Sequence, residues 1–351
     1  MNLIHWEYYP SVAQHPHACN WLEIQAMLGL AKNTLQAYGR GANDYLAFCE
    51  RTARPFIEAT KVDIAAYIDD MTHRPNPKGD MIRYLHSGAG LANSTMQQRL
   101  TVVRLLYDHL IEEGIRHNPR NPVGKGKFTP GRAFAGKRER AVLPLYERLP
   151  WIPGDDEWNA ILDAAAAEPL RNQLMLLFAY YGALRRSELV ALEVRDIAFP
   201  LQQMTIRPET AKNGRGRVVM YGDVARELLQ VYMDERADED IHGGRLFRSQ
   251  SDRNATQGCT ADTWDKVVTR IAKRAGLHHR FTTHTTRHLR LTDLARCGMD
   301  IHAIAQYAGH RNIETTRIYL KLSGRETAER VRLQMHELDK RLERLRQGGQ
   351  R

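Results

Sequence analysis

Three observations predict a mainly α protein of two domains, a small helical one followed by a larger, mostly helical one with a small antiparallel sheet. Apolar residues recur at helical spacing through most of the 351 residues. Strand-like alternation is confined to two short stretches, 202–207 and 217–221. A basic stretch rich in Pro and Gly, 116–144, separates the two halves, and the length suits two domains of ordinary size.

Residues 1–24 read as an N-terminal extension, the least legible part of the chain. His15 and His17 form an H-x-H in this Pro-containing leader, but without further ligands nearby no metal site is expected. The helical domain, 25–115, contains three amphipathic patterns. Asn33-Thr34 signals an N-cap for a helix to about Arg51, with Leu35, Tyr38, Ala42, Tyr45, Leu46 and Cys49 on one face. Residues 60–71 form a second, with Val62, Ile64, Ala65, Tyr67 and Ile68 as its apolar set. Asn93-Ser94 opens a third, carrying Met96, Leu100, Val103, Leu106, Tyr107 and Leu110 to a stop at Gly114. The second domain, 145–324, begins with helices at 155–167, 170–184 and 187–192. Its two strands are separated by a turn containing Asn213-Gly214, a strong hairpin signal. Helical patterns follow from Thr260, through 283–297, 301–308 and 313–320, and a charged helical tail occupies 325–351.

The net charge is +10, from 51 Lys and Arg against 41 Asp and Glu, and asks for a polyanionic partner. Its densest part is the stretch between the domains, where Arg116, Arg120, Lys125, Lys127, Arg132, Lys137, Arg138 and Arg140 face only Glu139; a basic linker is well placed to contact a phosphate backbone. The longest apolar run, 174–184, has eleven residues where a bilayer helix needs about 20, so no membrane association is expected. No secretory signal is legible either, and a cytoplasmic protein is expected. Cys19, Cys49, Cys259 and Cys297 never form a C-x-x-C pair, which argues against a zinc ribbon or a disulfide framework.

Four segments of the second domain carry chemistry. The first is Gly182-Ala183-Leu184-Arg185-Arg186-Ser187-Glu188-Leu189. Lys212 follows beside the hairpin turn, and then His284-Thr285-Thr286-Arg287-His288. Last comes Gly309-His310, followed nine residues later by Tyr319. On one continuous helix nine residues turn by about 900°, leaving His310 and Tyr319 on opposite faces, so a break near Arg311-Asn312 is expected. His284 and Arg287, at i and i+3, share one helix face. In order and spacing the four segments resemble the active-site segments of the tyrosine recombinase family, the phage integrase and Xer-type site-specific recombinases. Thr285-Thr286 replaces that family's common Asp-Leu and Arg186 an aliphatic residue, without loss of a functional group.

The resemblance implies an N-terminal helical core-binding (SAM-like) domain and a mixed α/β catalytic domain, clamped around duplex DNA. It implies a strand transferase that cleaves and rejoins DNA through a covalent 3′-phosphotyrosine at Tyr319, with no ATP, metal or other cofactor. Tyrosine suits this because a phenol, with pKa about 10, is a better leaving group than an alkoxide, so the ester stays reactive. Arg185 and Arg287 would bind the non-bridging oxygens bidentately, a register one residue later putting Arg186 in the place of Arg185. Lys212 would protonate the departing 5′ oxygen, His284 would assist proton transfer and His310 would hydrogen-bond the phosphate. Glu188 would orient Arg185 or cap its helix, and His288 would pack behind the site. Four protomers on two DNA sites are implied, with possible exchange of the C-terminal tail between neighbours. A type IB topoisomerase or telomere resolvase shares this chemistry, and a non-cutting DNA-binding accessory protein would share the fold.

Overall fold

Pro10 and Pro16, within the stretch read as an N-terminal extension, each open a helix. A 3₁₀ turn (Trp6–Tyr8) leads into α1 (Pro10–Gln14) and α2 (Pro16–Met27). Proline suits a first helical position, where its fixed φ is already helical and its missing N–H is not needed. Val12 and Leu22 are 0% exposed and Trp21 1%, each burial contributing roughly 1.5–3 kcal/mol. Residues 4–24 are therefore not an extension but part of the first helical core. Their apolar side chains are spread round α2 rather than gathered on one stripe, so periodicity did not reveal them.

The computed structural model describes residues 4–75, 90–124, 149–212, 214–236, 244–249 and 257–324, with positions 331 and 335. It divides into two units, 1–147 and 148–351. In the first, α3 (Lys32–Arg51), α4 (Lys61–His73) and α5 (Asn93–Glu112) pack with α1 and α2 around one core. Gly39 on α3 admits the Tyr9 ring so closely that a Cβ there would stand 2.7 Å from its Cζ. The α3 and α5 starts differ from expectation: Ala31 and Ala92 are the caps, and neither helix has a side-chain cap. Capping is worth only about 1 kcal/mol, so packing of the long apolar faces sets these ends. On α4 the cap does form: Thr60 Oγ1 accepts from Val62 N, and Asp63 Oδ2 accepts from Thr60 N. Val62, expected in the core, sits in that first turn and is 71% exposed.

Two tyrosine hydroxyls in this core satisfy each other: those of Tyr45 and Tyr107 are 2.6 Å apart, and Tyr107 donates on to the Phe56 carbonyl at 2.7 Å. Arg116 belongs to this network, which overturns its assignment to DNA. Its guanidinium is buried, donates to the carbonyls of Ile57 and Ala59, and lies 5.2 Å over the Tyr107 ring. Arg120 is exposed; Lys125, Lys127, Arg132, Lys137, Arg138 and Arg140 lie outside the described residues.

In the second unit, α6 (Asp155–Ala166), α7 (Leu170–Tyr181) and α8 (Arg186–Ala191) precede three strands, β1 (Ile197–Ala198), β2 (Gln203–Ile206) and β3 (Arg217–Met220). The strands form one antiparallel sheet in the order β1-β2-β3, with Met204 opposite Val219 and Ile206 opposite Arg217. The β2–β3 connection is thus a loop spanning 207–216, longer than a two-residue hairpin turn. Then follow α9 (Asp223–Asp234), α10 (Ala261–Arg274), α11 (Thr283–Arg296) and α12 (Ile301–Ala308). The α9 helix was passed over in the sequence, although Ala225, Leu229, Tyr232 and Met233 form a one-sided buried stripe. Helix α7 stops at Gly182 rather than reaching Leu184. The expected 313–320 helix is instead a 3₁₀ turn (Ile313–Thr315) followed by helical residues 317–324. The tail from 325 lies outside the described residues, apart from positions 331 and 335. All four cysteines are free thiols. Among the described residues no helix is long and apolar enough to cross a membrane.

Replacing Arg116 by Met keeps the packing stem but strands two buried carbonyls. Arg116→Met should destabilise the protein by roughly 1–3 kcal/mol, read as a lower urea midpoint, while Arg120→Met should leave the midpoint unchanged.

Candidate active site

The site is assembled where α7 ends and α8, β3, α11 and α12 begin or end. After Gly182, Ala183 takes a left-handed φ of 46°, an arrangement costing an L residue about 1–2 kcal/mol. Ala183 is fully buried against Leu291, Leu294, Ile304, Ala308 and Tyr319, and its carbonyl accepts from Arg287 Nη1 at 2.5 Å. This turn delivers Arg185 as the residue before α8. Glu188, on the first turn of α8, accepts from Arg185 N at 2.9 Å and from Arg185 Nη1 at 2.8 Å. Glu188 therefore both caps the helix and orients the arginine. Arg186 points elsewhere: it is exposed and paired with Asp265, so Arg185 is the one that faces the site.

A second guanidinium shares the same carboxylate. Arg217, the first residue of β3, donates to Glu188 Oε2 at 2.7 Å and to Oε1 at 3.1 Å. Burial alone would raise the Glu188 carboxyl, but Arg217, backed by Arg185, overrides it and holds it down at about 2. Sequence reading missed Arg217 because it counted only as a strand residue; the available signal was a charge at the inward-facing end of a strand. Gly309 makes room for it: its φ is 62°, and a Cβ there would stand 3.1 Å from Arg217 Nη1. Arg185 Nη2 also reaches the Gly309 carbonyl, at 3.4 Å.

Arg287, on α11, is only 2% exposed and, among the described residues, has no carboxylate as a hydrogen-bond partner. It donates to the Ala183 and Ala308 carbonyls at the ends of α7 and α12, both at 2.5 Å, and lies 3.1 Å from His310 Nε2. Burial, with Arg185 and Arg217 nearby, lowers its pKa to about 10. His310 Nδ1 lies 2.8 Å from Thr316 Oγ1, a fully buried hydroxyl that the sequence reading did not single out.

Tyr319 lies among these groups at 2% exposure. Its ring is stacked on His310, centroids 6.1 Å apart and planes within 9°. The break expected between the two is present: α12 ends at Ala308, Gly309 reverses the chain, and Asn312 caps the 3₁₀ turn through Glu314 N. The phenol oxygen is 3.1 Å from His288 Nδ1, so His288 is the phenol's partner rather than a residue packed behind the site. The His284 ring lies beside that of His288, their centroids 5.3 Å apart. Burial, then His284 and Arg287, pushes His288 down to about 4; burial, then Arg287 and Arg185, does the same to His310. Burial raises the Tyr319 pKa, against the pull of Arg287 and Arg185. Lys212 is exposed on the 207–216 loop, and its charge is one of those that lower the His284 pKa.

With the imidazoles neutral, three guanidiniums less one carboxylate leave this cluster at +2. The fold and the site define a mostly helical domain with a cationic cluster gathered around a buried phenol.

Residues 154–326 match the phage integrase family. The chain is 29% identical to the tyrosine recombinase XerD of Caulobacter vibrioides over 89% of this chain and 93% of that one. It is 27% identical to the tyrosine recombinase XerC of Pelobacter propionicus over 86% and 89%. Among solved structures, XerH site-specific recombinase bound to palindromic difH substrate superposes with TM-score 0.63 at 18% identity, covering 85% of this chain and 78% of that one. A lambda integrase dimer bound to a COC′ core site gives TM-score 0.60 at 18% identity, over 87% and 94%. At such identities the structural likeness establishes the fold. Residues 154–326 thus form a domain of the phage integrase family, and the chain is a site-specific DNA recombinase, an enzyme of strand cleavage and rejoining.

Of the three histidines held below their ordinary pKa, His288 and His310 fall furthest and dominate the pH response of stability. Unfolded, each titrates near 6.5; folded, each falls to about 4, so the unfolded chain binds more protons between those values. Stability should therefore rise from about pH 4 to about 6.5 and be complete above that. The depressed Glu188 carboxyl adds a contribution lost only as pH falls from about 4.5 towards 2. Urea midpoints measured across this range should climb with pH, and His310→Gln should flatten the climb above pH 4.

Proposed function

We propose that Tyr319 is the nucleophile of the recombination reaction. Its Oη attacks the scissile phosphorus, the Oη–P bond forms and the P–O5′ bond breaks, leaving the 3′ end attached to the enzyme. The phenolic proton passes to His288, whose Nδ1 is its hydrogen-bond partner; this supports His288 in the role expected of His284. Arg185 and Arg287 bind the non-bridging oxygens and His310 donates to the phosphate. Lys212, on its exposed loop, protonates the departing 5′ oxygen.

The observation that carries this reading is the +2 cluster around a single buried phenol. A phosphodiester brings one negative charge and the pentacovalent transition state a second. The site is therefore complementary in charge to the transition state rather than to the substrate, which is the condition for catalysis.

The first unit would hold the duplex and the second cut it, with the exposed Arg120 and the basic residues after it on the phosphate backbone. The enzyme would act in the cytoplasm as four protomers on two sites, with exchange of the 325–351 tail. The lambda integrase dimer on a core site supports an assembly of protomers on DNA.

The test uses a nicked suicide duplex carrying a site that the protein selects from a randomised duplex pool. Wild type should form a denaturant-resistant protein–DNA adduct, absent in Tyr319→Phe, and Arg287→Lys should form it about 10²–10³ times more slowly. An adduct that persists in Tyr319→Phe would refute the assignment. Log affinity for the same duplex should fall linearly and steeply with log salt; a flat response would count against backbone contact.

A further inference from the structure

His310 makes a side-chain hydrogen bond from each ring nitrogen: Nε2 lies 3.1 Å from Arg287 Nη2, and Nδ1 lies 2.8 Å from Thr316 Oγ1. A guanidinium has donors only, so Nε2 must accept and carries no proton. The neutral ring's single proton then sits on Nδ1 and is donated to the Thr316 hydroxyl. Charged and titratable groups face this ring from every neighbouring element: Arg185 before α8, Arg217 on β3, and Arg287 and His288 on α11, with burial and these groups together disfavouring the imidazolium. Thr316 is itself fully buried, and its carbonyl accepts from Tyr319 N at 3.0 Å. The turn that sets the phenol therefore also fixes the hydroxyl.

We propose that Thr316 is a positioning residue that fixes the tautomer of His310, holding Nδ1 protonated so that Nε2 is the only nitrogen whose proton changes during the reaction. The inference rests on the reading of Arg287 as a phosphate ligand and Tyr319 as nucleophile. In the DNA-free enzyme Nε2 presents a lone pair to Arg287 and has nothing to donate. An entering phosphodiester draws Arg287 onto a non-bridging oxygen. Nε2 then loses its donor and gains an anion beside it. It takes up one proton from solvent and donates that proton to the phosphate, while Nδ1–H stays on Thr316. Binding of the scissile phosphate is thus coupled to protonation of His310 at a defined atom. Without the hydroxyl, Nδ1–H would be buried with no acceptor, and the ring proton would shift to Nε2, against Arg287.

Full-length protein labelled with ¹⁵N-histidine tests this, the His310 signals being identified among the 15 histidines by their loss in His310→Gln. At neutral pH the DNA-free wild type should show a protonated Nδ1 and an unprotonated Nε2 at His310. Thr316→Ser, which keeps the hydroxyl, should match it; Thr316→Val, which keeps the volume, should not. In the suicide-duplex assay Thr316→Val should form adduct about five- to tenfold more slowly, with Thr316→Ser restoring the rate to within about twofold. A wild-type His310 protonated on Nε2 would overturn the proposal, even were Thr316→Val to fail to fold, and so would a Thr316→Val protein with the wild-type tautomer. The spectra are read without DNA, so such a failure would leave Tyr319 in its role. Absence of any adduct in wild type would instead strike the nucleophile assignment.

Discussion

The site depends on one buried carboxylate. Glu188 is flanked by two guanidiniums that approach from different parts of the chain, Arg185 from the turn before its own helix and Arg217 from the start of a strand. Two like charges cannot be brought together in a poorly solvated interior without a counter-charge, and leaving either alone would cost several kcal/mol. Glu188 makes their proximity tolerable, and in doing so ties α8 to β3. Because it is shared, it neutralises only one of the two. The remaining excess, added to that of Arg287, is what a phosphate would meet in the proposed reaction.

Arg287 extends the same logic without a carboxylate. Its partners are carbonyl oxygens at two helix C-termini, the ends where the helix dipole is negative and backbone acceptors lack intrahelical partners. Such partners hold a cation in place while leaving its charge uncompensated. A carboxylate there would make a firmer salt bridge and a weaker oxyanion site. The left-handed Ala183 and Gly309 belong to this design: each reverses the backbone at a helix end, and the turns bring two carbonyls from separate helices to one side chain.

What was legible in the sequence was mostly local. Arg185, Glu188, Arg287, His310 and Tyr319 were singled out from short segments that resemble one family's, and the structure brings them together. Long one-sided helices such as α5 were equally plain. Arg217 and Thr316 were not, since their roles arise from pairings with Glu188 and His310 that no local pattern encodes. Arg116 shows the converse: surrounded in sequence by basic linker residues, it is taken into the core by carbonyls some 60 positions away. The leader was obscured for a third reason: its prolines act as helix openers, and the apolar residues of α2 do not gather on one stripe.

The depth of Tyr319 bears on a hazard faced by any enzyme that opens a DNA strand. An acylated or phosphorylated side chain at a protein surface is open to water, and hydrolysis there would turn a strand exchange into an unrepaired break. With Tyr319, the proposed nucleophile, only 2% exposed and packed between His310 and the Leu291, Leu294 and Ile304 side chains, bulk solvent would have little approach to an ester formed on it. A DNA hydroxyl held in the site then has the advantage of proximity over water. On the proposed role of Tyr319, genome integrity during the exchange would rest partly on the tight apolar packing behind one phenol.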